Sequence, residues 1–363
     1  MNKTKISNPV RLIAFFLTAF LLVCTFGLSA DGWQTDEGQK DENITKNPDA
    51  SNDNSSVNDT SDIPEIYIPK FINRLTGIET DEACAQIPHY AFIMNGDSPL
   101  YGIWESDILC ELPTEDGRRY IAFISEGQNL WKCGIIKPAR GYISNVVKYF
   151  GGICVSYGND DAVSYNKCDI NEMNIDLSVS DKYYYTEFGS NVYCNTDLMN
   201  LAASNSNIKY EDKPLPFEFV DFGKDPLFYG DQNAEHIRVE RSLSNFSDIH
   251  YNNESQKYTV SNNGAVITDA INGKVPEFTN CFILFADSVT YDNANGYQMV
   301  MDTIGSGVGY YFSMGGMTKI LWSAKESGVM SFTLEDGSVL VANRGRSYIA
   351  FLKTSMLDRI SYE

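Results

Sequence analysis

Asp107 and Glu111 are the residues whose type and spacing could do acid–base or binding chemistry. A separation of four puts both carboxylates on one face of either a strand or a helix. Convergence of this pair with Arg119 and Arg140 would make a cluster for an anionic or polyhydroxyl ligand, since guanidinium forks match carboxylate and phosphate. The competing arrangement is a set of internal ion pairs that fixes strand ends and the start of a helix. No motif marks a nucleophile or a tuned acid beside them, so binding is favoured over catalysis. An enzyme using Asp107 or Glu111 as acid or base is the alternative.

Other motifs carry less. Gly305-x-Gly-x-Gly309 lacks the Gly-Lys-Ser/Thr ending of a phosphate loop and predicts a turn. Ser206-Asn-Ile-Lys209 fits S-x-x-K by chance, without its partner motifs. His89, His236 and His250 each border a strand-like run and read as structural or surface residues. Tyr183 to Tyr185 read as a half-buried edge strand rather than a platform for a sugar. There is no C-x-x-C and no H-E-x-x-H, and no motif calls for a cofactor or metal. Seven cysteines remain besides Cys24; several lie in apolar runs and behave as small hydrophobes, with one or two disulfides within residues 84–194 as the alternative.

The compartment is written at the start of the chain. Lys3, Lys5 and Arg11 precede an apolar run from Leu12 to Ala30, the order of an export signal. As a helix that run would span about 28 Å, close to a bilayer core, so residues 1–30 are a signal peptide or a membrane anchor. Lipidation at Cys24, a retained helix and cleavage after Ala30 all remain open, with attachment to the extracytoplasmic face favoured. Residues 31–69, dense in Asp, Asn, Ser and Thr, read as a disordered acidic tether. A formal net charge of −20 excludes nucleic acid as a general partner. Peptides, glycans and other exported proteins stay open.

Beyond the tether two textures follow. From Pro88 to Tyr157 strands alternate with a helix predicted over Pro138–Phe150, where Ile143, Val146, Val147 and Phe150 recur at helical spacing before Gly151-Gly152. Strands are expected at His89–Asn95, Arg118–Ser125, Asn129–Ile136 and Gly152–Tyr157, a strand or short helix at Ile103–Leu112, and a helix near Thr196–Ser204. After Ala234 nearly every segment reads as strand, and Asp336-Gly337 marks a hairpin. The expectation is an α+β chain: a mixed α/β N-terminal domain over 70–210, a proline-marked connection over 211–233, and a mainly β C-terminal domain over 234–363.

Several blocks then carry a resemblance. Gly305 to Gly316, Ile320-Leu-Trp322, Leu334-Glu-Asp-Gly-Ser338 and Asn343-Arg-Gly-Arg-Ser-Tyr-Ile349 resemble the C-terminal half of the YerB-like lipoprotein family. Leu75-Thr-Gly77, Ser106 to Glu111, Arg119-Tyr120 and Gly134 to Tyr142 echo its N-terminal half. The chain departs from the family pattern at Ile87, Lys137 and Val308 and has no counterpart of its Pro-His-Asn block. The resemblance implies an exported, membrane-attached, two-part protein with no established biochemical role. The polar residues of the matched N-terminal blocks, Asn95, Asp107, Glu111, Arg119, Lys137 and Arg140, are the candidate ligand-binding set.

Overall fold

Strands that are buried on both faces must be apolar almost throughout, and several segments here have that character. Among them His89–Asn95, Asn280–Ala286 and Ser347–Lys353 bury nearly every residue and are interior strands of one large sheet. The computed structural model describes residues 67–85, 89–97, 99–125, 128–159, 174–208, 214–230, 232–293 and 296–363. The anchor 1–30 with Cys24, the tether up to residue 66, Ile87 and Cys168 lie outside them.

In chain order the main strands are β1 (His89–Asn95), β2 (Ile108–Thr114), β3 (Gly117–Ser125), β4 (Gly152–Ser156), β5 (Asn174–Asp176), β6 (Gln232–Asn233), β7 (His236–Ser242), β8 (Asn245–Asn252), β9 (Lys257–Asn262), β10 (Ala265–Val266), β11 (Asn280–Ala286), β12 (Gly305–Ser313), β13 (Gly316–Ala324), β14 (Met330–Leu334), β15 (Ser347–Lys353) and β16 (Ile360–Tyr362). Eleven strands form a mixed sheet in the order β6-β13-β12-β11-β15-β2-β3-β1-β4-β5, with β14 also on β13. β15 pairs in parallel with both β11 and β2, so hydrogen bonding runs unbroken from the 70–210 segment into the 234–363 segment. A second, antiparallel sheet has the order β10-β9-β8-β7-β16. The described fold is predominantly β with few helices.

Two apolar layers flank the large sheet. On one face Ala91, Ile93, Ile121 and Phe123 meet helix α1 (Gly141–Tyr149), whose Tyr142, Ile143, Val146 and Val147 are all buried. The predicted periodicity is thus the packing face. On the other face Tyr90, Phe92, Met94 and Tyr120 share a core with Ile237, Val239, Ile249 and Val260 of the second sheet. Helix α2 (Thr196–Ser204) joins that core through Met199 and Ala202; Asn195 caps it by accepting a hydrogen bond from the Leu198 amide at 2.9 Å.

Two sequence expectations need correction. The Gly305–Gly309 run is the start of β12, not a turn. Its glycines answer close approach: a Cβ on Gly307 would lie 2.5 Å from both the Phe285 carbonyl and Trp322 Nε1, and one on Gly309 2.8 Å from the Ile283 carbonyl. Asn129–Ile136 yields only the short strand Cys133–Gly134, because its backbone groups go to separate partners, Gly134 exchanging hydrogen bonds with Tyr101 and Ile136 donating to Val192.

The six described cysteines are all buried, and Cys84, Cys110, Cys133, Cys194 and Cys281 are free thiols. Cys133 faces Cys194 directly across the strand pair Cys133–Gly134 with Asn191–Cys194. Directly opposed strand residues have Cα separations within the range a disulfide spans. Burial pushes the Cys194 thiol up to about 12 and that of Cys133 well above its ordinary value, so the folded pair is unreactive. Chain folded under oxidising conditions is expected to join Cys133 to Cys194; non-reducing peptide mapping that found Cys133 linked to another cysteine would contradict this.

Candidate functional site

The six candidate residues do not meet in one cleft. Asp107 precedes β2, so the same-face rule no longer couples it to Glu111. Its carboxylate accepts from Ser125 Oγ at 2.6 Å and Asn73 Nδ2 at 2.8 Å, with His89 Nε2 3.5 Å away. Asn73 Oδ1 in turn accepts from the amides of Leu75 and Thr76, so Asp107 ties the 73–76 turn to the sheet.

Glu111 lies inside β2 on the opposite side, between the two sheets, and is 1% exposed. It accepts from Tyr348 Oη at 2.7 Å, from Tyr120 Oη and Arg118 Nη1 at 3.2 Å, and from Arg241 Nη2. Arg118 also donates to Asn262 Oδ1 at 2.6 Å and Asn245 Oδ1 at 2.8 Å, and Arg241 to Ser247 Oγ at 2.8 Å. Burial alone would push the Glu111 carboxyl up, but Arg241 and Arg118, helped by both tyrosine hydroxyls, hold it below its ordinary value. The carboxylate stays charged and all its neighbours are engaged in holding it.

Arg140 forms a two-pronged pair with Glu115 at 2.7 and 2.6 Å, and Glu115 Oε2 also accepts from the Met299 amide at 3.1 Å. Asn95, Arg119 and Lys137 sit together at the facing ends of β1 and β3, where Asn95 and Arg119 are cross-strand partners. Arg119 reaches Asp116 at 3.4 Å and Asn95 donates to the Asp97 carbonyl at 3.2 Å. Burial, then the nearby Arg119 charge, lowers the Lys137 ammonium. The set therefore divides into three internal networks and this polar strand end.

A groove of about 450 Å³ opens between two of those networks. Its walls are the β2–β3 turn with Thr114 and Glu115, Arg241 and Asn245 at the β7–β8 hairpin, and Lys353, Ser355 and Arg359 from the end of β15 and the 3-10 turn Thr354–Arg359. Arg241 is committed to Glu111, and Glu115 to Arg140. Lys353 makes no ion pair among the described residues, and Arg359 donates only to the Arg241 carbonyl, at 3.4 Å. Two uncommitted cations thus line a groove whose one carboxylate, Glu115, is already neutralised. Sequence reasoning missed Arg241, Lys353 and Arg359, because nothing local shows that β15 lies parallel beside β2. Among the described residues no three His, Cys, Asp or Glu side chains gather to hold a metal ion, and no helix is long and apolar enough to cross a membrane.

The mixed sheet backed by a second antiparallel sheet, with its polar layer between them, defines a class that comparison with known proteins makes specific. Residues 237–349 match the family described as "Protein of unknown function (DUF3048) C-terminal domain". The chain is 22% identical over 290 residues to the Bacillus subtilis (strain 168) protein named "Putative lipoprotein YerB", covering 76% of this chain and 84% of that one. The crystal structure of YerB protein from Bacillus subtilis superposes with a TM-score of 0.68, covering 81% of this chain and all of that one at 22% identity. The YerB-like resemblance read from the sequence blocks holds in both sequence and fold.

Proposed function

We propose that this chain is a non-catalytic binding module of the cell envelope, held on the extracytoplasmic face of a membrane and receiving a peptide, glycan or exported protein in the Arg241–Lys353–Arg359 groove. The observation that carries the reading is the contrast in charge: carboxylates candidate for acid–base work are buried and bonded, whereas Lys353 and Arg359 face the groove without a carboxylate partner. In a chain of net charge −20, which repels anions at long range, these two cations give the groove a local attraction for acidic groups of a ligand. The relative's name, a lipoprotein, supports attachment here through the N-terminal segment, with Cys24 as the lipidated residue.

Fluorescence anisotropy with labelled poly-L-glutamate, dextran sulfate and neutral dextran tests the reading. The full chain should bind at least one of the two anionic probes, and the Lys353→Glu/Arg359→Glu double variant should bind it at least about tenfold more weakly. Equal binding by both proteins, or none by either, would remove the groove as a site.

A further inference from the structure

At the other end of β8 from the groove, a second cavity of about 180 Å³ lies where the β8–β9 hairpin meets the segment after Val220. Three cations line it. Lys257 Nζ donates to Thr279 Oγ1 at 2.6 Å, and Arg344 stacks its guanidinium 3.5 Å from the centre of the Phe222 ring while donating to the Gly77 carbonyl. Arg344 Nε is buried with no partner, and Lys224 stands exposed at the rim. None of the three has a carboxylate within ion-pair distance among the described residues; Asp221, on the same wall, and Glu277 act on Arg344 and Lys257 only from farther away. Half-buried cations whose partners are a hydroxyl, a carbonyl and a ring retain an unmet demand for negative charge. This happens in a chain with 48 acidic residues available to pair with 28 basic ones.

The wall is also held in an unfavourable backbone shape. Gln256 (φ 55°) and Met314 (φ 56°) both line the cavity in the left-handed region. Met314-Gly315 is the two-residue turn between β12 and β13, a position that asparagine or aspartate fills at lower cost. Strained non-glycine residues concentrate at ligand sites, where surrounding structure over-determines them.

We infer that this cavity is a site for a compact oxyanion, a phosphate or short dicarboxylate group, gripped by Lys257 and Arg344 with Lys224 at its mouth. Its volume is well below the roughly 300–1,000 Å³ of pockets for drug-sized molecules, which favours a small anion over a polymer. The cavity shares no lining residue with the groove.

Calorimetric titration of the full chain with inorganic phosphate and with succinate, at constant ionic strength in chloride, tests it. Saturable binding of at least one anion is expected for the natural chain and for Lys319→Glu, which makes the same charge change on an exposed face of β13. Lys257→Gln and Lys224→Glu should each weaken that binding by about tenfold or more. Lys224 is exposed, so its variant keeps the fold even where Lys257→Gln does not. Phosphate alone, succinate alone or both would identify the preferred oxyanion. No saturable heat with either anion, or equal affinity in Lys224→Glu and the natural chain, would overturn the site.

Discussion

Alanine at Glu111 is expected to lower the free energy of unfolding by about 3–5 kcal/mol, because it leaves Arg118 and Arg241 buried between the sheets without their shared carboxylate. Replacing Glu111, Arg118 and Arg241 together by apolar residues of similar volume should recover much of that loss, since buried ion networks offset their own desolvation only partly. The pH dependence has a definite sign. Glu111 is held below its ordinary value of 4.5 in the folded chain, so its contribution is fully present above that value and is lost as pH falls through the depressed one. Chemical unfolding from pH 7 to pH 3 should show this acid-side loss and should show it reduced in Glu111→Gln. A stability change below about 1 kcal/mol in Glu111→Ala would mean the network does not hold the sheets together.

Trp322→Ala should cost a similar amount, about 3–5 kcal/mol, for a different reason. The indole is 2% exposed and its Nε1 donates to the Phe285 carbonyl at 2.9 Å. The β11–β12 pairing ends at Leu284 opposite Gly309, so the ring supplies the donor where the ladder has stopped. Trp322→Phe keeps most of the apolar surface but orphans that carbonyl, and should cost about 1–3 kcal/mol. Urea titration of both variants checks the order; a loss near zero in Trp322→Phe would show that the indole N–H contributes nothing.

Elements with a local signal were legible in the chain. Thr196–Ser204 follows a capping asparagine, and α1 lies within the predicted Pro138–Phe150 because its apolar spacing is its packing face. β8, at the heart of the second sheet, gives no such signal. Its Ser247 and Asp248 are buried polar residues satisfied by Arg241 and Arg238, so burial there does not track hydrophobicity. The glycines of β12 read as turn residues because the demand on them comes from Phe285 and Trp322, distant in sequence.

The candidate site shows the same division. Residue type and spacing pick out Glu111 and Arg140, neither of which lines the groove; each is bonded to a residue that does, Arg241 and Glu115. The direct groove cations, Lys353 and Arg359, are brought there by a parallel strand pairing between segments far apart in the chain. Asp107 was linked to Glu111 by a spacing rule that holds only within one strand, and β2 begins one residue after Asp107.

Hydrogen exchange of the full chain with and without poly-L-glutamate or dextran sulfate tests the groove most directly. New protection is expected in residues 352–359 and 241–245, lost in the Lys353→Glu/Arg359→Glu variant. Protection confined to other segments, or unchanged in that variant, would contradict it.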